Sequence, residues 1–330
     1  RDPGWTYSDM NGFGPYLEPF VWFKLYWAAW TLLLGVAATV LWVRGRESGM
    51  GRRLREARAR SRGPLLRAAG AAIVLIVALG RFIFYNTNVL NDYRTPDRIG
   101  AERAEYEKRY GRFESVAQPV IVSAGLRVEI HPDAPAVDIR GRYRLVNRTG
   151  VPIDSLHVHV DPEVDTHSVT PDRAAATVLL DEEIGYRILA LEHALTRGES
   201  MKLAFDVSFR PRGFRNSGMQ TSVVANGTYF NRLLMPFIGY QPALEVSGDE
   251  ARARFGLAPQ PPAPGPDDAG ARKYREAWRD ADVVQVETIV GTAADQTALA
   301  HGVLQRSWTE NGRRYFHYLT EAPVSFAATV

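Results

Sequence analysis

Residues 20–43, FVWFKLYWAAWTLLLGVAATVLWV, and residues 65–85, LLRAAGAAIVLIVALGRFIFY, decide the architecture of this chain. Each is close to the roughly 20 apolar residues that a helix needs to cross a bilayer core. Between them, residues 44–64 carry Arg44, Arg46, Arg52, Arg53, Arg55, Arg58, Arg60 and Arg62 against only Glu47 and Glu56. Short basic loops stay on the cytoplasmic side, so the first helix is expected to run inward and the second to return. Residues 86–330 are then expected outside the cytoplasm, in a multi-pass protein of the inner (cytoplasmic) membrane. The lipid bilayer is the first expected partner.

The flanks agree with this orientation. Trp22, Phe23, Tyr26, Trp27 and Trp30 cluster at one end of the first stretch, Trp42 stands at its other end, and Phe82, Phe84 and Tyr85 close the second. Amphipathic rings favour the headgroup zone, which makes Trp22, Trp27, Trp30, Trp42 and Tyr85 candidate interfacial anchors. The charges inside the stretches, Lys24, Arg67 and Arg81, lie within about a turn of an end, where a long side chain snorkels to water. An ion path or voltage sensor needs charge near the midplane, and none stands there. The arginine loop is basic, but no aromatic side chains interleave with its charges to stack bases, so no nucleic-acid partner is expected. Orientation and attraction to anionic lipid account for it.

No cysteine is present, which excludes disulfides, thiolate metal sites and a cysteine nucleophile. The chain opens on Arg1 and closes on residues 323–330, PVSFAATV, a strand-like run. That reads as an internal piece of a longer polypeptide.

Beyond the second stretch, Thr95-Pro96-Asp97 is a helix start: a hydroxyl cap, proline in the first turn and an acid at the positive end of the dipole. The helix should run through AERAEYEKRY to Gly111. Charge on nearly every face makes it a stalk or surface brace and not a core element. From about Val120 the period becomes two. LRVEIHP, VDIRGRYRLVN, SLHVHVDPEV, ATVLLD, YRILALE and KLAFDVSFRP are short alternating runs bounded by turn residues. Turns are expected at residues 147–150 and at Gly198-Glu199. After the proline-rich segment APQPPAPGPDDAG and a short helix (ARKYREAWRDA), sheet resumes with VVQVETIVGT, GVLQRSW and RRYFHYLT. Asn311-Gly312 between the last two is a hairpin turn, since both residues tolerate positive φ.

The expected fold is two transmembrane α-helices followed by a mainly antiparallel β domain of saddle or sandwich type. The expected divisions are 1–19 lead-in, 20–43 span, 44–64 cytoplasmic loop, 65–85 span, 86–118 helical stalk and 119–330 β domain. A proline-rich segment at 258–271 is an insertion within that β domain, with a boundary between two domains as the alternative.

Chemistry-bearing patterns are few. His157, His159, Asp161, Glu163, Asp165 and His167 alternate along LHVHVDPEVDTH, so His157 and His159 share a strand face and can share a metal. The plainer reading is a solvent-facing polar stripe opposite Leu156, Val158 and Val160. No HExxH, GxSxG or GxxxxGK[ST] pattern occurs, so the chain holds no identifiable catalytic centre. Asn147-Arg-Thr and Asn226-Gly-Thr match the glycan acceptor pattern, which is short enough to recur by chance. Residues 223–239, VVANGTYFNRLLMPFIG, alternate polar Asn226, Thr228 and Asn231 with aromatics before an apolar turn. This composition suits the lining of a cleft. An ordinary edge strand and loop is the alternative.

Three phrases, GFGPYLEPFVWFKLYW, ANGTYFNRLLMPFIGYQPALEV with EARARFGL after it, and ADQTALAHGVLQRSWTENGRRYFHYLTEAPVSF, resemble one group of bacterial membrane proteins. In these, an ABC-2-type transporter permease is joined to an M1-family (gluzincin) aminopeptidase-like domain. The resemblance implies that the two helices are the last of the permease portion, and that the β region is the saddle domain preceding an M1 catalytic domain. In that family the zinc ligands lie downstream of the saddle, so zinc is implied for the parent and no ligand falls in this chain. Implied partners are the downstream catalytic domain, a peptide substrate of the parent and an ABC ATPase subunit. Asn226, Thr228 and Asn231 are then candidates for the wall that faces a substrate's free amine. Because a saddle's apolar face normally packs on the next domain of the polypeptide, residues 86–330 alone are expected to fold poorly. The competing reading is a membrane-tethered β module that binds a partner or gates the transporter without catalysis.

Overall fold

The computed structural model describes all residues except 1–3, 6, 8, 10–11, 43–50, 52–56, 60–62, 219, 261, 263–264, 266, 268–278 and 328. The chain divides into two units, Arg1–Arg94 with Arg212–Gln220, and Thr95–Pro211 with Thr221–Val330. Seven of the eight arginines of residues 44–64 lie outside the described residues, leaving Arg58, exposed in a helical stretch. Residues 271–278 of the helix expected over ARKYREAWRDA and much of the proline-rich segment also lie outside them; its last residues, Arg279 to Ala281, are a turn leading into a strand.

The first unit holds helix α1 (Gly14–Leu41) and helix α2 (Pro64–Phe84). The helix α1 starts ahead of its apolar run, with proline in its first turn. The two pack through Trp22 on Phe82, ring centroids 4.6 Å apart. Along most of their length the apolar side chains are uncovered: Leu34, Leu66, Val74 and Val77 are all more than half exposed. Both helices are long and apolar enough to cross a membrane. A buried core helix of a soluble protein would not leave this surface bare. Trp27, Trp30, Trp42 and Tyr85 are exposed, whereas Trp22 is half-buried in the helix seam. The helix α2 does not stop at Phe84 but continues as a π-turn, Tyr85–Val89.

The second unit begins with helix α3 (Pro96–Tyr110), where the Thr95 side chain accepts a hydrogen bond from the Arg98 amide as its composition demands. Strands β1 (Val120–His131), β2 (Ala136–Val146), β3 (Ile153–His159), β4 (Asp165–Pro171), β5 (Ala175–Asp181), β6 (Tyr186–Leu195) and β7 (Ser200–Phe209) follow. A short strand β8 (Phe237–Ile238), helix α4 (Asp249–Arg254) and strands β9 (Ala281–Ala293), β10 (Val303–Glu310), β11 (Arg313–Leu319) and β12 (Val324–Ser325) complete the unit. Among the described residues the larger sheet runs β10-β11-β9-β1-β2-β7-β4, with β12 beside β9, and the smaller runs β5-β6-β3-β8. Pairing is antiparallel except between β1 and β9, which run parallel with Arg127 opposite Ile289. The sheet is therefore mixed, and strands from both sides of the proline-rich segment lie in it. The hairpin β10–β11 turns at Asn311 (φ 50°) and Gly312 (φ 75°), the positive-φ pair that a two-residue turn requires.

Alternation explains the layers. Leu156 and Val158 on β3, with Val160 just beyond its end, face the larger sheet and join Tyr143, Leu145, Leu203 and Val286 in one core. The opposite face of the smaller sheet is covered by α3. This corrects the expectation of a charged stalk: Tyr106 and Tyr110, one helical turn apart, are buried against Tyr186, Ile188 and Tyr240. Tyr106 stacks on Tyr240 (4.8 Å between centroids) and Tyr110 on Tyr186 (4.1 Å). Two aromatic residues four apart make a narrow buried stripe that the surrounding charges conceal in the sequence. On its flank, Glu107 takes a two-pronged bond from buried Arg252 on α4 (2.6 and 3.0 Å), tying α3 to the body of the unit.

Candidate functional site

The polar stretch of residues 223–239 forms a loop and the short 3-10 turn Arg232–Leu234. Thr228 closes the loop: its hydroxyl donates to the Val224 carbonyl (2.9 Å) and accepts from the Val224 amide (3.1 Å). Asn231 caps the 3-10 turn, its carboxamide oxygen accepting from the Leu233 amide (2.9 Å). Both side chains are thus engaged in local structure. Asn226, at the loop tip, is exposed. The backbone of Phe230 exchanges both hydrogen bonds with Val330, and the Arg232 amide donates to the Ala327 carbonyl. The segment therefore lies strand-like against Ala327 and Val330.

A second loop joins it. Gln296 donates to the Ala225 carbonyl (2.6 Å) and accepts from Thr292 (2.7 Å), and Tyr318 holds the Ala298 carbonyl (2.9 Å). Exposed apolar side chains stand on these segments: Tyr229 and Leu233 on one, Leu299 on the other, with Val303 and Leu304 at the start of β10. Leu299 is 70% exposed, while Ala298 beside it belongs to the core. The composition of residues 223–239 pointed to this region, but Leu299, Val303 and Leu304 were not legible as surface, because their apolar type reads as core. Apart from the Tyr229 hydroxyl these side chains are aliphatic, and the surface is suited to packing.

Beneath it lies a buried ion pair. Arg232 donates to the Asp280 carboxylate (2.6 Å), which also accepts from the Ile238 amide (2.9 Å). The guanidinium lies over the rings of Phe237 (4.4 Å) and Phe326 (4.7 Å). Both charged side chains are almost fully removed from solvent.

The histidine pattern is taken apart. Strand β3 ends at His159, Asp161 accepts from the Glu163 amide in a turn (2.9 Å), and Asp165 and His167 fall on β4 in the other sheet. His167 bonds Ser208 (2.9 Å). His157 and His159 do share a face, but it is buried beneath α3 and not solvent-facing, which corrects the polar-stripe reading. His157 bonds the Tyr186 hydroxyl (3.0 Å) and His159 meets the Tyr106 ring edge-on (5.5 Å). Among the described residues no three metal-ligating side chains converge. Of the glycan acceptors, Asn147 is fully buried, its amide donating to the Val151 and Leu195 carbonyls (2.8 Å each), so it is closed to modification as folded.

Burial pushes both histidines down to about 4, with Asp154 opposing at His157 and the Ile184 carbonyl opposing at His159. In the unfolded chain they titrate near 6.5, so the unfolded state binds more protons between these values. Their contribution is present above about 6.5 and lost as pH falls toward about 4, by up to about 3 kcal/mol per histidine. The melting temperature is expected to fall across that window, and H159F, placed among Tyr106 and Phe237, to flatten the fall. An H159F profile parallel to the parent's would refute this assignment.

No family model matches the chain, and no curated protein does. Among solved structures it is similar to the M1 zinc metallopeptidase from Deinococcus radiodurans, at 13% identity and TM-score 0.39. It is likewise similar to a single-site variant of that enzyme bound to a Tyr-Ser-Ala substrate, at 12% identity and TM-score 0.40. A two-domain M1 zinc metallopeptidase variant bound to L-tryptophan gives 14% and 0.39. Each comparison covers 63% of this chain, and the chain spans about two fifths of their length (40, 40 and 41%).

Proposed function

We propose that this chain is the membrane-anchored portion of a fusion between an ABC-type permease and an M1-like zinc aminopeptidase, comprising the last permease helices and the β domain ahead of the catalytic domain. The helices α1 and α2 are its membrane spans, Arg44 to Arg62 lie on the cytoplasmic side, and residues 86–330 lie outside. The β domain, residues 119–330 with the proline-rich insertion at 258–271, packs on a downstream catalytic domain. Asn226 stands at the wall where a peptide's free amine is received, on the loop that Thr228 and Asn231 hold in shape. An ABC ATPase subunit docks on the cytoplasmic side.

The observation that carries this reading is the uncovered apolar surface of Tyr229, Leu233, Leu299, Val303 and Leu304. Large apolar side chains grouped beside a well-packed core are suited to burial against another domain. The three sequence phrases support the same reading, two of them running through this surface. Zinc is assigned to the downstream domain because the resemblance places the zinc ligands there. Water activation belongs there too, and this chain supplies anchor and wall.

Absence of cysteine makes the topology testable with single thiols. With an impermeant maleimide on intact cells, R197C in the exposed β6–β7 turn is expected to label and R58C to label only after permeabilisation. The reverse pattern would overturn the orientation. Metal content and chelator-sensitive release of N-terminal residues by the native full-length polypeptide test the peptidase reading.

A further inference from the structure

The segment Arg212–Gln220 leaves the β domain after β7, belongs to the helical unit, and returns at Thr221. Its anchor is Phe214, 1% exposed, whose ring lies between Phe23 of α1 and Phe82 of α2 (centroids 6.2 and 6.0 Å). Asn91, just past the π-turn, holds it by the backbone. The Asn91 amide donates to the carbonyls of Asn86 (3.0 Å), Arg212 (2.7 Å) and Phe214 (3.4 Å), and its oxygen accepts from Arg215 (3.3 Å). Asn216 adds a bond to the Arg94 carbonyl (3.1 Å). Gly213 makes the approach possible. It has φ +51°, and a Cβ there would stand 2.2 Å from the Asn86 Oδ1 and 3.2 Å from Leu90. Asn86 cannot easily yield, being buried with its amide bonded to the Phe82 carbonyl (3.0 Å).

We infer that Arg212–Gly218 is a clasp that ties the ends of α1 and α2 to each other through a segment continuous with β7. The π-turn is part of the device. One extra residue in the turn changes the helical phase of the residues beyond it, and such turns recur where a helix serves a site. A change in separation of the two helices must release Phe214 from between Phe23 and Phe82. The clasp stands on this geometry alone. Its use, passing permease movement to the β domain, rests on the proposed function.

The test is hydrogen exchange on the full-length protein in detergent, comparing wild type with G213A and N91L. Both variants are expected to speed exchange at residues 86–91 and 212–218 by about tenfold or more, leaving β2 and β7 unchanged, as a local opening does. Unchanged exchange at 86–91 in either variant would overturn the clasp. So would acceleration spread through β2 and β7, which would mark Gly213 as an element of the whole fold. Because the readout is exchange and not peptide release, its failure is distinct from failure of the zinc peptidase reading.

Discussion

D280A is expected to destabilise the β domain by about 3–5 kcal/mol, a large part of the 5–15 kcal/mol typical of a folded domain. The substitution strands the Arg232 guanidinium, whose side chain is only 4% exposed, among Phe237 and Phe326. It also removes the acceptor of the Ile238 amide. The site is already short of partners: Arg232 Nε, Asp280 Oδ1 and the Tyr143 hydroxyl have none among the described residues. The pair need not be more stabilising than apolar packing, since desolvation offsets much of the attraction. The double variant R232M/D280L is therefore expected to recover most of the loss. Denaturant midpoints of the native protein and the two variants check this. A D280A loss below about 1 kcal/mol would show that solvent reaches the pair.

This pair also connects the fold to the candidate site. Arg232 follows Asn231 in the loop that carries Tyr229 and Leu233, and Asp280 immediately precedes β9. The Asp280 carbonyl accepts from the Ile121 amide (2.8 Å) at the start of β1. The loop's position is thus set by the strands that flank the proline-rich segment. Loss of Asp280 is expected to disturb the apolar surface before it disturbs the remote edge strands.

Strands β1, β2, β3, β6 and β7 were legible because each has a buried face, and burial writes alternation into the sequence. Strand β4, DTHSVTP, was not recognised as a strand: it is an edge strand, exposed or half-exposed along its whole length, and nothing selects an apolar face. The parallel pairing of β1 with β9 escaped for another reason. Alternation fixes which face a residue takes but not which neighbour a strand chooses. The buried histidines misled because a strand covered on both sides carries polar residues inward when a partner awaits them, as Tyr186 awaits His157. The clasp left only a faint mark, an Arg-Gly-Phe in a loop, because its meaning depends on Asn86 and Asn91, more than 120 positions away. Of the three candidate residues, the sequence could not separate Asn226 from Thr228 and Asn231, whose side chains serve the loop itself.

Chelation of the native full-length polypeptide is expected to abolish release of N-terminal residues and leave the β domain's melting unchanged. The first half follows from placing the chemistry on a zinc-activated water in the downstream domain. The second follows from placing the zinc ligands in that same downstream domain, as the resemblance implies. A structural metal within the β domain would make melting depend on the chelator, because metal binding is then folding energy. The two readouts together test the proposed division of roles, chemistry downstream and wall and anchor here.

The decisive measurement is aminopeptidase activity of the protein purified in its native full length, assayed on peptides with a free amine before chelation, after it, and after zinc is restored. Activity is expected to disappear with chelation and return with zinc. Protein that binds no zinc and releases no residues would contradict it, and would make the β domain a binding or gating module of the transporter.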